Sequence, residues 1–225
     1  MREFYTVFPV LLEQDIRDED HIIDEAGQTF YNLTPYISSS DLASWTAFLA
    51  DVPPCDPIDG PWIMGGAVRR FLQGQPQDAD IDLFFDSSAQ YDLYHRLMVH
   101  MGHGLLAHTE HHTMFEVRSA QSIKKVQLVT TRYRESLIDH MNAFDYTLCQ
   151  TGWDGERVIA SYHALIDIVD QKLNLASTTL HDLPSSWFRI LKYAQQGYHP
   201  SQKTINYFMQ HAHEVTSTID QVKTY

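Results

Sequence analysis

The chain is poor in cysteine, in positive charge and in long apolar runs. Its two cysteines, Cys55 and Cys149, are too few for a disulfide framework or a cysteine-ligated zinc site, and they suit a reducing compartment. No apolar stretch approaches the roughly 20 residues that cross a bilayer. Met1-Arg-Glu-Phe-Tyr5 lacks the basic start and apolar run of a signal peptide. These absences lead us to expect a soluble, cytoplasmic protein with no membrane contact. Lys and Arg number 16 against 29 Asp and Glu, a net charge of −13, which argues against a broad nucleic-acid footprint. The deficit is uneven. Residues 1–60 hold 2 basic and 12 acidic side chains, residues 61–186 hold 10 and 15, and residues 187–225 hold 4 and 2. A local contact with nucleic acid in that last segment stays open. Internal repeats and low-complexity tracts are absent.

What is present is enough apolar material for a real core: 44% hydrophobic and 12% aromatic among 225 residues, which excludes wholesale disorder. Ser38 and Asp41 have capping-box spacing, and Leu42, Trp45 and Leu49 follow helical period, predicting a helix over 38–50. Four prolines between Asp51 and Pro61 mark a loop or boundary. We therefore divide the chain into an acidic N-terminal extension (1–60), a head (61–180) and a helical neck and tail (181–225). In the head, strands are expected at Trp62–Met64, Ile81–Phe85, Leu105–His108, Thr113–Arg118, Lys125–Thr130, Ala143–Gln150 and Arg157–Ala160. Helices are expected at Ala67–Gln73 and Gln90–Met101. From Leu183 the pattern is helical to the end, broken at Gly197 and Pro200. The fold class is α+β, a small mixed or antiparallel sheet flanked by helices, with a C-terminal helical neck.

The chemistry concentrates between Ile63 and Phe85. A strand ends in Gly65-Gly66 and a helix starts at once. Such a turn lets backbone approach a ligand and presents free N–H groups, a seat for phosphate. Arg69 and Arg70 lie one turn on, where either can add positive charge. Asp80 and Asp82 follow at i and i+2, so in a strand both carboxylates share one face while Ala79, Ile81 and Leu83 share the other. Adjacent carboxylates repel unless a cation lies between them, and oxygen ligands beside a phosphate seat suit Mg²⁺ or Mn²⁺. Asp145, expected on a strand with Thr147 facing the same way, would supply a third carboxylate. Three carboxylates can hold two divalent ions that clamp an in-line displacement at phosphorus, with Asp145 nearer the attacking hydroxyl.

Gly65-Gly-Ala-Val-Arg69, Asp80-x-Asp82 and Asp145-Tyr-Thr147 together resemble the nucleotidyltransferase superfamily of DNA polymerase beta. Within it, they resemble the head domain of class II CCA-adding enzymes and bacterial poly(A) polymerases. Arg189 to Tyr198 resembles that family's neck, so the likeness covers roughly residues 60–200. It implies transfer of NMP from NTP to an acceptor hydroxyl, with release of pyrophosphate. Asp80, Asp82 and Asp145 would be the metal-binding catalytic residues, and Gly65, Gly66, Arg69, Arg70, Arg189 and Lys192 the nucleotide-binding ones. It also implies an RNA 3′ end, tRNA-like, as acceptor. The departures lie in the neck. The family's Glu-Asp-x-x-Arg falls near His181-Asp182, with Ser186 where the base-reading Arg is expected, and the two arginines that precede the later Asp are Ala143 and Phe144. The chain is also too short for the body and tail that grip tRNA in that family. A protein or small-molecule acceptor, of toxin–antitoxin or phage type, is the alternative, as is a non-catalytic binding or assembly module. The acceptor, the preferred NTP and the oligomeric state are left open.

Other residues are read conservatively. The histidines at 95, 100, 103, 108, 111 and 112 do not follow His-Glu-x-x-His spacing, and a hairpin between two strands would place them at an exposed turn. Cys149 has no base assigned to it by spacing and is expected to be a packed thiol. Tyr193 and Tyr198 could stack on a base or pack in the core of an amphipathic helix.

Overall fold

A computed structural model describes residues 16–118, 122–177, 180 and 182–213. Eleven strands and seven α-helices lie among these residues. Strands β1 (His21–Ile23), β2 (Thr29–Asn32), β3 (Trp62–Met64), β4 (Ile81–Phe84), β5 (Gly104–His108), β6 (His112–Arg118), β7 (Ile123–Val129), β8 (Thr151–Trp153) and β9 (Val158–Ser161) form one sheet. Its order is β1-β2-β9-β8-β3-β4-β7-β6-β5. Only β4 and β7 run parallel, so the sheet is mixed. It grows to nine strands because β2, from the segment read as an extension, pairs onto β9 and carries β1 at its other edge. A separate pair joins β10 (Lys172–Leu173) to β11 (His199–Pro200).

The helices are α1 (Ser39–Phe48), α2 (Gly66–Leu72), α3 (Ser88–His100), α4 (Leu137–Asn142), α5 (Tyr162–Asp170), α6 (Leu183–Gln195) and α7 (Gln202–Gln210). Local sequence starts most of them. Ser38, Ser87, Ser136, Ser161 and Ser201 accept from the backbone N–H three residues on, and Asp182 does the same for α6 with Pro184 in its first turn. Each satisfies an N–H that the helix leaves without a partner.

Three apolar clusters hold these layers. The largest joins Trp45 of α1, Val68 and Leu72 of α2 and Met98 of α3 to the inward residues of β4, β6 and β7, including Leu83, Phe115 and Leu128. Alternation in these strands puts Ile81 and Leu83 in this core and leaves Asp82 and Phe84 on the opposite face, as expected from the period of two. A second cluster packs Trp62, Met64 and Phe30 under Leu137 and Met141 of α4. The third gathers Tyr146, Leu148, Ile168, Tyr193, Tyr198 and Phe208, and it seats α6 and α7 against α5.

One expected strand is absent. Ala143–Gln150 forms an isolated bridge at Tyr146 and then a 3₁₀ turn over Thr147–Cys149. Tyr146 through Gln150 are all buried, so the alternation a strand needs fails. Thr147 consequently does not face the site. Its hydroxyl donates to Asp167 and to the Asn174 carbonyl. The helical pattern beyond Leu183 is α6 and α7, separated by a left-handed Gly197. Residues 214–225 and 1–15 lie outside the described residues.

Candidate functional site

Gly65 sits between β3 and α2 at φ 77° and ψ −126°, a conformation that side chains strongly disfavour. Its amide donates to the Thr151 carbonyl at 2.9 Å, and its carbonyl accepts from the Thr151 hydroxyl at 3.1 Å. The turn is thus bolted to β8. The first amides of α2 have no acceptor within the helix. A Cβ on Gly66 would lie 3.8 Å from Ala79 Cβ, an ordinary contact, and one on Gly65 would lie 4.0 Å from the Phe144 ring.

Met64 is in register with Asp82, and Asp82 is in register with Gln127 of β7. The carboxylates of Asp80 and Asp82 accept no hydrogen bond from the described residues, and both are partly buried. Burial and the neighbouring Asp80 push the Asp82 carboxyl up to about 7, while Lys192 and Arg189 pull it back down. Both cations belong to α6, so the charge of that helix acts on the acidic strand. Arg132 and Arg134 follow β7. Burial and each other's charge lower the Arg132 pKa, and Asp145 raises it. Arg132 and Arg134 are a basic pair directly after β7 that the sequence reading did not single out.

Of the other expected site residues, Asp145 does not complete a three-carboxylate group. Among the described residues no three His, Cys, Asp or Glu side chains converge to hold an ion. Asp145 Oδ2 instead accepts from Ser186 Oγ at 2.6 Å and from the Arg189 guanidinium. Because the segment is a turn rather than a strand, its carboxylate is aimed at α6. Arg69 is not available to a nucleotide either. It is 2% exposed, donates to Gln73, Tyr198 and Gln196 at 3.1, 2.9 and 2.6 Å, and lies over the rings of Tyr193 and Tyr198. Arg70 is more accessible but pairs with Asp78 at 2.8 Å. Arg189 is half-exposed and Lys192 exposed.

Tyr193 and Tyr198 are core residues. Cys149 is a packed thiol, 2.9 Å from the Tyr193 hydroxyl, and burial raises its pKa. Of the six histidines only His108, His111 and His112 lie at the β5–β6 hairpin, where His108 Nδ1 is 2.7 Å from Thr113 Oγ1; His95 and His100 sit on α3 and His103 in the loop after it, because the helix runs on to His100. No helix of the described residues is long and apolar enough to cross a membrane.

The Gly65-Gly66 turn, the acidic β4 and α6 are parts of an α+β fold in which helices flank a mixed sheet. Among solved structures the chain is similar to a CCA-adding enzyme with ATP (16% identity, TM-score 0.55) and to one with CTP (15%, 0.52). These matches cover 82% of this chain in each case, and 46% and 47% of the other. An apo form is similar at 15% identity and a TM-score of 0.50, over 85% of this chain and 48% of the other. The chain spans about half the length of the structures it resembles. No curated protein matches the sequence. Residues 40–171 match the family described as Gabija anti-defense 2 family protein, Gad2, and the chain belongs to that family.

Proposed function

We propose that this protein is a divalent-cation-dependent nucleotidyltransferase that moves NMP from NTP to an acceptor hydroxyl. The observation that carries the reading is the placement of Asp80 and Asp82. Asp82 of β4 and Asp80, two residues earlier at the entry to that strand, accept no hydrogen bond from the described residues, Asp82 is in register with Met64 just before the Gly65-Gly66 turn, and Lys192 and Arg189 lower its pKa by their charge. The hard oxygen donors of the two carboxylates fit Mg²⁺ or Mn²⁺. Such an ion, when bound, would offset phosphate charge as it develops in the displacement.

The chain's own groups divide the remaining work. Asp80 and Asp82 hold the cation. The amides after Gly65 receive phosphate oxygens. Lys192, Arg132 and Arg134 offset the charge of the triphosphate, with Arg70 at the margin. Arg189 is a positioning residue for Asp145, and through it α6 is held to the segment after α4. The acceptor oxygen forms a bond to the α-phosphorus, the bond to the β-phosphate bridging oxygen breaks, and pyrophosphate leaves with that electron pair. The acceptor's proton passes to solvent.

The acceptor we propose is an RNA 3′ end, supported by the likeness to CCA-adding enzymes. The family description as anti-defense favours a second reading, with a non-tRNA acceptor such as a protein or small molecule. Incubation with each α-labelled NTP, cellular RNA and protein separates the two by which fraction carries label. Label in neither fraction, nor in small molecules, with wild type equal to Asp82→Ala, would leave a binding module instead of an enzyme.

A further inference from the structure

Resting on the nucleotidyl-transfer reading, we propose that Gln127 limits the site to one divalent cation where three carboxylates would hold two. Strands β4 and β7 are parallel neighbours, with Asp82 and Gln127 as partners. Adjacent strands lie about 4.8 Å apart and partners in register share a face. Gln127 therefore stands where a carboxylate could share an ion with Asp82. An amide offers a neutral oxygen and no charge to offset a second dication.

No other acid in the described residues takes that role. Asp145 is engaged by Ser186 and Arg189. Glu116, on the same face of β6 one row away, is partnered to Lys125 across the strands and bridged to Arg118. The unpaired anionic charge is that of Asp80 and Asp82, with the cations of α6 facing it. One divalent ion balances two carboxylates. A second would add its charge beside Lys192 and Arg189 with no protein carboxylate of its own to receive it, an arrangement that Coulomb's law disfavours. The consequence for the reaction is asymmetric. The nucleotide side has a cation, and the attacking hydroxyl has none of its own.

The test is a count. The full chain is titrated with Mn²⁺ in the presence of each of the four α,β-methylene NTPs. Bound Mn²⁺ is read by electron paramagnetic resonance and bound nucleotide by equilibrium dialysis. The expected result is one Mn²⁺ per bound nucleotide in wild type and two in Gln127→Glu, with Gln127→Leu remaining at one. Two ions in wild type would overturn the inference and leave the nucleotidyl-transfer reading standing. One ion in a folded Gln127→Glu protein would also overturn it. Failure of wild type to bind any of the four nucleotides with Mn²⁺ would remove the nucleotidyl-transfer reading itself, and the inference with it. The wild-type count decides the matter alone if Gln127→Glu does not fold.

Discussion

Arg69 of α2 donates to the Tyr198 hydroxyl at 2.9 Å across a separation of 129 residues. That hydroxyl donates in turn to Gln73 Oε1 at 3.0 Å, and the guanidinium lies 5.0 Å from the Tyr198 ring centroid. A buried cation is thus surrounded by neutral acceptors and two rings, and it ties the head to the end of α6.

Arg69→Met should therefore act on stability. It strands the hydrogen-bonding groups of Gln196, Gln73 and Tyr198, a loss of roughly 2 kcal/mol or more from a buried charged network. Arg69→Lys should rescue little, because an ammonium cannot reproduce the planar fork. Urea unfolding gives the stability, and nucleotide affinity of the folded fraction should stay unchanged. Normal stability with lost affinity would return Arg69 to the phosphate seat.

Asp82→Asn should stabilise the cation-free protein at pH 8. The folded carboxyl is raised to about 7 from 3.8. The stability linked to it is present below pH 3.8 and is lost as pH rises through about 7. The substitution removes this penalty, so the Tm should rise by several degrees at pH 8 and hardly change at pH 4. The same variant should lose the Mg²⁺-dependent thermal shift with NTP that mass action otherwise produces.

His140 should contribute the opposite slope. Its Nε2–H donates to the Phe85 carbonyl at 3.0 Å beneath Trp62 and Phe84, and burial lowers its pKa from 6.5 to about 4. The unfolded chain binds the extra proton between these values, so stability falls as pH drops from about 6.5 to 4. Compared in the Asp82→Asn background, His140→Gln should flatten that window. Identical pH profiles for the two proteins would refute the burial of a neutral imidazole.

Gly65 and Gly66 should respond differently to the same substitution. Gly65→Ala forces a side chain onto φ 77° and should cost about 1–2 kcal/mol. Gly66→Ala meets only an ordinary contact with Ala79 and should fold normally, whereas Gly66→Val should block the triphosphate. Fluorescence titration with a labelled NTP, alongside thermal unfolding, separates the two roles.

Ordered CCA addition should not occur. Ser186, at the position expected to read the base, is fully buried and donates to Asp145 and to the Asp182 carbonyl. Strong base discrimination needs paired polar groups at the base edge, and this hydroxyl is already committed. Sequencing the 3′ ends of tRNA lacking CCA after incubation with all four NTPs checks it. Faithful restoration of CCA would place the base-reading pair elsewhere.

Local rules were sufficient for much of this molecule. The glycine turn, the two-residue alternation of Asp80 and Asp82 and the serine caps depend on residues a few positions apart, so they can be read along the chain. The strand placements around β4, β6 and β7 were legible for the same reason. Long-range packing decided the rest. Whether Ala143–Gln150 became a strand depended on α5 and α6 burying it from both sides, which short-range alternation does not encode. Arg69 and Arg70 are adjacent in sequence and look interchangeable. Only the docking of Tyr193 and Tyr198 drew one into the core and left the other near solvent. The neighbour of Asp82 is likewise a matter of strand order. Gln127 lies far along the chain and reaches the carboxylate because β4 and β7 pair in parallel, so the sequence determined the chemistry of the acidic strand, and tertiary structure decided which charges face it.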